Sequence, residues 1–188
     1  MDIKTFWENA VSYEAYLEDA KSRLENPQTQ DDKEKADYYK LGIQRMDRMF
    51  DKFKASEEQL SELSSKNFKG KILIISEAWC GDASAVIPVL VKFFKDNEVR
   101  ITYRDQEPSL IDNYLTNGGK SIPVVLLLSE DFEVLANWGP RPKFGTELLL
   151  KFKNNPEEFT RDMFYNELQI YYAKNRGKDM IQELLELL

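Results

Sequence analysis

The feature that most constrains the fold is a change from strand-like to helix-like sequence at the chain's only cysteine. Residues 71–75 form a continuous aliphatic run, which is typical of a strand buried on both faces. Residues 86–94 are largely apolar and typical of a helix, so Cys80 lies in the turn between the two elements. At such a turn, backbone N–H groups and the helix dipole can stabilise a thiolate, which makes Cys80 the first candidate functional residue.

The sequence after this turn predicts a mixed sheet. The expected elements are, in order, a helix over 81–96, a strand over 99–104, a short helix over 108–115, strands over 122–128 and 132–138, and a helix over 144–153. The two later strands are separated by a polar connection of hairpin length, whereas the first two are joined by a helix. This order predicts an α/β fold with a central mixed sheet of about four strands and flanking helices.

Helical sequence precedes this core. Ser12 is the candidate N-cap of a first helix, which residues 26–27, Asn-Pro, bring to an end. A second helix is expected over 32–53, where apolar residues recur at alternating spacings of four and three. Ser56 followed by Gln59 predicts the capping box of a third helix.

Helical sequence also follows the core, over residues 155–188, with an interruption at Gly177. We therefore expect a single domain in which residues 1–66 and 155–188 are helical extensions packed on a core of residues 67–154. Nothing in these extensions separates a partner-binding role from packing on the protein's own core, and nothing in the sequence predicts an oligomeric state.

Composition excludes several classes of partner and site. The 188 residues include 33 acidic and 26 basic side chains, giving a net charge of −7, so we expect no nucleic-acid or anionic-membrane partner. The chain has no histidine, which removes histidine-activated nucleophiles and histidine-based zinc sites. One cysteine allows neither an intrachain disulfide nor a thiolate metal cluster, and we expect no metal and no cofactor.

The compartment is predicted from the thiol and from the chain's beginning. The first eight residues contain acids where a secretory signal would have bases followed by an apolar stretch. No apolar run reaches membrane-spanning length. Because a free cysteine persists in a reducing compartment, we expect a cytoplasmic protein.

The turn over residues 79–83, Trp-Cys-Gly-Asp-Ala, resembles the active-site turn of the thioredoxin superfamily, Trp-Cys-Gly-Pro-Cys. Asp82 replaces the proline and Ala83 replaces the second cysteine. The resemblance implies a thioredoxin-like fold, with Trp79, Gly81 and Asp82 beside the substrate. It also implies a cis peptide bond before Pro123, which faces the cysteine turn and leaves the preceding backbone free to pair with a substrate peptide.

A narrower resemblance covers nearly the whole chain. Its phrases are residues 45–48, 79–83, 114–119 with Ser121-Ile122-Pro123, and 138–142. They are similar to a bacterial family known only as thioredoxin family protein, whose members also have helical segments on both sides of the core. This likeness implies the fold and the location of a site, with Ser121 and Ile122 among the substrate-binding residues.

The residues of the turn lack the usual accessories of dithiol chemistry. Reduction by two cysteines needs a second thiol to resolve the mixed disulfide, and Ala83 stands at that position. Ile74 stands where many thioredoxins have a buried acid. The carboxylates of Glu77 and Asp82 would raise a nearby thiol's pKa. Ser84, one turn later, either donates a hydrogen bond to the sulfur or is an ordinary surface serine.

Three functions remain open for Cys80. As a monothiol of low pKa, it would form mixed disulfides with protein or small-molecule thiols, resolved by an external thiol. As a redox sensor, it would be oxidised and then capped by a small thiol. Alternatively, the protein is a non-catalytic binding module that retains the thioredoxin groove. We expect the monothiol function, and we note that a cysteine can also be only a small buried hydrophobic residue.

Two arginines are weaker candidates for the rim of the site. Arg104 ends a predicted strand and Arg141 follows a Gly-Pro turn, so either guanidinium could favour a thiolate or bind a substrate carboxylate. Solvated or salt-bridged arginines explain the same pattern. Trp138 is expected in the core.

Overall fold

A computed structural model describes residues 2–188 and contains a four-stranded sheet in the order β2-β1-β3-β4. The strands are β1 (Lys71–Ser76), β2 (Val99–Tyr103), β3 (Val124–Leu128) and β4 (Val134–Trp138). β1 is parallel to β2 and antiparallel to β3, and β3 is antiparallel to β4. The predicted α/β class and mixed sheet are therefore confirmed.

Helices precede the sheet, connect its strands and follow it in the sequence. They are α1 (Ile3–Asn9), α2 (Tyr13–Glu25), α3 (Gln30–Glu34), α4 (Ala36–Lys52), α5 (Glu57–Lys66), α6 (Ala83–Phe93), α7 (Lys143–Asn154), α8 (Arg161–Asn175) and α9 (Lys178–Leu187), with a 3₁₀ turn at Leu110–Asn113. Ser12 caps α2 as predicted, since its hydroxyl accepts a hydrogen bond from Ala15 N at 3.2 Å. Among residues 2–188, no helix is both long and apolar enough to cross a lipid bilayer.

The helix expected over 32–53 is divided in two, and this prediction was wrong in its start. Thr29 and Asp32 form a reciprocal capping box that begins α3 at Gln30. Lys35 then leaves helical geometry, with φ −96° and ψ 5°, before α4 begins. A cap closer to the N-terminus therefore overrides the periodicity of the longer segment.

The capping box expected at Ser56 is only half formed. The Ser56 hydroxyl accepts from Gln59 N at 3.2 Å, as predicted. The Gln59 side chain does not turn back to Ser56, because its amide donates to Lys178 O at 2.9 Å. This bond connects the helices before the sheet to those after it.

Two hydrophobic clusters hold these elements. The larger one includes the buried faces of β1 and β3 and side chains from α1, α2, α4, α6 and α9. The smaller one lies among α6, α7 and α8 and consists of Ala85, Leu148, Phe159, Phe164, Leu168 and Tyr172. The turn that carries Cys80 therefore lies where α6 meets both clusters.

Candidate functional site

Cys80 lies between the end of β1 and the start of α6, as the sequence predicts. The Ile122–Pro123 peptide bond is cis, which confirms that expectation. The Cys80 thiol donates a hydrogen bond to Ile122 O, with 3.3 Å between sulfur and oxygen. The cysteine turn and the proline loop, about forty residues apart in sequence, are therefore in direct contact.

The surroundings of the Cys80 sulfur oppose a thiolate. The residue is 8% exposed. Burial raises the pKa of the thiol to about 12, with a second contribution from the Asp82 carboxylate. The backbone N–H groups of Ala83 and Asp82 act in the other direction but are outweighed. Cys80 therefore lacks the low pKa expected of a monothiol nucleophile, because desolvation of the buried sulfur exceeds the effect of the helix N-terminus.

Asp82 is engaged by two side chains from distant parts of the chain. Arg141 Nε donates to Asp82 Oδ2 at 3.1 Å, and a second guanidinium nitrogen donates to the same oxygen. The Tyr172 hydroxyl donates to Asp82 Oδ1 at 2.7 Å. Arg141 therefore lies beside the turn, but its guanidinium is paired with Asp82, which is the salt-bridged alternative. Tyr172 was missed because its position on α8 indicates only a buried face.

Ser84 follows neither expectation. Its hydroxyl donates to Gly81 O at 2.7 Å, and the residue is buried. The carbonyl three residues earlier is the nearest acceptor in a first helical turn, so the serine satisfies it and leaves the sulfur alone.

The half-buried indole of Trp79 forms the neighbouring surface. Lys35 Nζ lies 4.5 Å from a Trp79 ring centroid and the Arg104 guanidinium carbon 4.8 Å. Arg104 also makes a bidentate pair with Asp105, at 2.7 and 2.8 Å. The structure thus places Arg104 at this rim, already salt-bridged, and adds Lys35, which no sequence pattern indicated.

Comparison with known proteins fits this geometry. A sequence model of the thioredoxin family matches residues 28–158, which is more than half of the chain. The chain belongs to the thioredoxin family.

Two crystal structures resemble this thioredoxin-family protein over its full length. One is a protein of unknown function from Pseudomonas aeruginosa, 15% identical, with a TM-score of 0.66 and 96% of its own chain covered. The other is an HIV epitope-scaffold, 14% identical, with a TM-score of 0.66 and 97% covered. At these identities the likeness shows the fold alone. No curated protein sequence matches the chain.

The accessory positions of this thioredoxin-family protein are filled by apolar groups. Ala83 is buried in the larger cluster, and Ile74 is buried within β1.

Glu77 is buried as well, and its carboxylate accepts a hydrogen bond from Asp105 N at 2.9 Å. Burial raises the pKa of the Glu77 carboxyl. Within residues 2–188, no group of three or more acids and cysteines is placed to hold a metal ion.

The loop before β3 completes the site. Ser121 is half-buried, whereas Ile122 and Pro123 are buried. Gly139, with φ +130°, passes so close that a β-carbon there would lie 2.3 Å from Pro123 O. Trp138 is buried, as expected, and its indole N–H donates to Glu183 Oε2 on α9 at 2.7 Å. The proline loop is therefore packed against the residue that follows β4, and β4 is in turn hydrogen-bonded to α9.

Proposed function

We propose that this protein is a thioredoxin-fold binding module whose cysteine turn no longer exchanges disulfides. One observation carries the proposal: the Cys80 thiol is buried, its pKa is raised to about 12, and it is hydrogen-bonded to Ile122 O. A nucleophilic cysteine needs the opposite environment, partly exposed and electropositive. Here the thiol acts as a hydrogen-bond donor between two loops.

The binding surface proposed is the groove formed by Trp79 and residues 121–123. The indole of Trp79 is half-buried and lies under two cations, so it offers an amphipathic contact beside the proline loop. The N–H of Ile122 donates to no acceptor among residues 2–188. An extended segment of a partner protein could accept this N–H and pack on the indole.

Monothiol exchange is the second candidate function, since the backbone N–H groups of Ala83 and Asp82 act on the sulfur. Once exposed, a Cys80 thiolate would attack one sulfur of a disulfide and release the other sulfur as a thiolate. An external small thiol would then displace Cys80 and regenerate it. A redox sensor needs the same exposed thiolate.

A comparison of three proteins separates these functions. Wild type, Cys80→Ser and Trp79→Ala are immobilised, and bacterial extract proteins that they retain are identified with and without a reducing agent. The binding module predicts that Cys80→Ser retains the wild-type set, because serine keeps the donor to Ile122 O, and that Trp79→Ala loses it. Retention that requires Cys80 and is released by reduction would overturn the binding module and establish exchange.

We also propose a bacterial origin and a cytoplasmic location. The support is the likeness of residues 79–83 and their companion phrases to the bacterial family, and the persistence of a free thiol in reducing compartments.

A further inference from the structure

A trough runs between α4 and α8 next to the cysteine turn. It is lined by Leu41, Gln44, Arg45, Arg48, Gln169, Ile170 and Ala173 and has a volume of about 340 Å³. The two helices flank it without packing closely on one another. None of the lining residues is acidic, although the protein carries a net charge of −7.

The polar side chains of the α4–α8 trough have no partners of their own. Within the described chain, residues 2–188, Arg45, Arg48, Gln44 and Gln169 form no side-chain hydrogen bond or ion pair. Arg45 is half-buried, and its pKa is lowered by desolvation and then by the charge of Arg48. Partial burial of the Arg45 guanidinium beside the like charge of the exposed Arg48 costs free energy, which an anion would recover.

Asp82, the acid whose charge acts on Arg45, does not supply that anion. Asp82 acts on the charge of Arg45, but both of its oxygens are engaged, by Arg141 and by Tyr172. The other acids of α4, at positions 37, 47 and 51, do not line the trough, and neither does Glu167 of α8. Within residues 2–188, the charge of Arg45 is therefore offset only in part, by the more distant Asp82, and no acid lines the trough.

The trough meets the candidate site at Gly81. A β-carbon at Gly81 would lie 3.5 Å from Arg45 Nη1 and 3.8 Å from Gln169 Nε2. A ligand paired with Arg45 would therefore lie beside the residue that follows Cys80.

Exposed apolar side chains extend the trough in length. Leu41 is 43% exposed and Ile170 is 46% exposed. Tyr38, at 62%, lies one turn before Leu41 on the same helical face, since residues 38, 41, 45 and 48 recur at spacings of three and four. Residues 38–48 span about 15 Å at about 1.5 Å per residue. That length suits a peptide segment better than a single small molecule.

We propose that the α4–α8 trough binds an acidic segment of a partner protein, with carboxylates on Arg45 and Arg48 and apolar side chains on Leu41 and Ile170. The proposal rests on the proposed binding function and names the chemistry of its partner. Charge complementarity chooses the occupant: two unpaired guanidinium groups beside apolar surface match a segment that alternates acids with apolar residues. A second copy of this acidic chain would satisfy the same chemistry only through such a segment.

The experiment uses the full chain and a phage library of random peptides about 12 residues long, with selected sequences resynthesised for fluorescence polarisation. Enriched peptides are expected to carry aspartate or glutamate next to large apolar residues. Arg45→Gln and Arg48→Gln should each weaken binding by about 10-fold or more, and raising salt should weaken wild type most. Arg176→Gln, an exposed arginine outside the trough, is the matched control and should bind like wild type.

The outcomes distinguish this inference from the proposed function. Peptides that need Trp79 but bind equally to Arg45→Gln and Arg48→Gln would overturn the inference and leave the binding module intact. Enrichment of peptides that consist of small or basic residues and contain no aspartate or glutamate would overturn the inference as well. If no peptide is enriched, both proposals fail. Arg48 is exposed, so the Arg48→Gln variant keeps the test valid even if Arg45→Gln folds poorly.

Discussion

The reactivity of Cys80 towards a small disulfide can be worked out from its environment. A thiol with a pKa of about 12 is ionised at neutral pH in about one molecule in 10⁵, against about 3% for a free cysteine of pKa about 8.5. The thiolate fraction is thus lower by about 3,000-fold. More basic thiolates are better nucleophiles, and a Brønsted coefficient of about 0.4–0.5 returns about 40-fold. The native thiol should therefore react about 100-fold more slowly than a free cysteine, before any loss from burial.

The assay follows the chromophore released from an aromatic dipyridyl disulfide. The rate should keep rising about tenfold per pH unit between about pH 6 and about pH 10, with no plateau, because the pKa lies above that window. The same protein unfolded in urea is the control, since its cysteine then has an ordinary pKa. A plateau that gives a pKa below about 8.5, or a native rate equal to the unfolded rate, would refute the reasoning.

Three substitutions test the supporting contacts. Burial raises the pKa of the Glu77 carboxyl, so the stability that this group contributes is present below its ordinary pKa of 4.5 and is lost as the pH rises through the pKa of the folded state. Glu77→Gln should therefore raise the melting temperature more near neutral pH than near pH 4. An equal change at both pH values would contradict this. Tyr172→Phe removes a bond to the Asp82 carboxylate and should lower the free energy of unfolding in urea by about 1.5–3 kcal/mol, whereas a loss below about 0.5 kcal/mol would count against the contact. Gly139→Ala should lower the free energy of unfolding by more than about 3 kcal/mol, because the added β-carbon would clash with the backbone of Pro123. Gly118→Ala, at φ +78° with open space around it, should lower it by only about 1–2 kcal/mol in the same urea titration. Equal losses would show that the close approach at Gly139 is unimportant.

The contact between Cys80 and the Ile122–Pro123 loop was predictable from the resemblance to the thioredoxin active-site turn, and the strand order of the structure explains it. A turn at the end of β1 and a loop at the start of β3 lie at the same edge when the two strands are antiparallel neighbours. The cysteine turn and the Ile122–Pro123 loop are each short sequence motifs, and the aliphatic runs beside them indicate the strands that they adjoin. The limits of β1, Lys71–Ser76, were likewise given by a continuous apolar run.

The electrostatics of the site were not predictable in the same way. A helix N-terminus acts on a thiolate through local geometry, whereas the pKa of Cys80 is governed by desolvation from all of its surroundings. The partners of Asp82 lie 59 and 90 residues away, on elements whose packing no local pattern reports. For the same reason Arg141 was recognised as a candidate while its commitment to Asp82 was not.

The two hydrophobic clusters imply that the molecule does not open as one piece. Helix α9 shares the larger cluster with the sheet, whereas α7 and α8 bury their apolar faces mainly in the smaller one. Amide hydrogen exchange should therefore show α9 protected nearly to the limit of global unfolding, with α7 and α8 exchanging together through a cheaper, partial opening. That opening would separate Tyr172 from Asp82, so the rate at which Cys80 meets solvent becomes a property of two helices far from it in sequence.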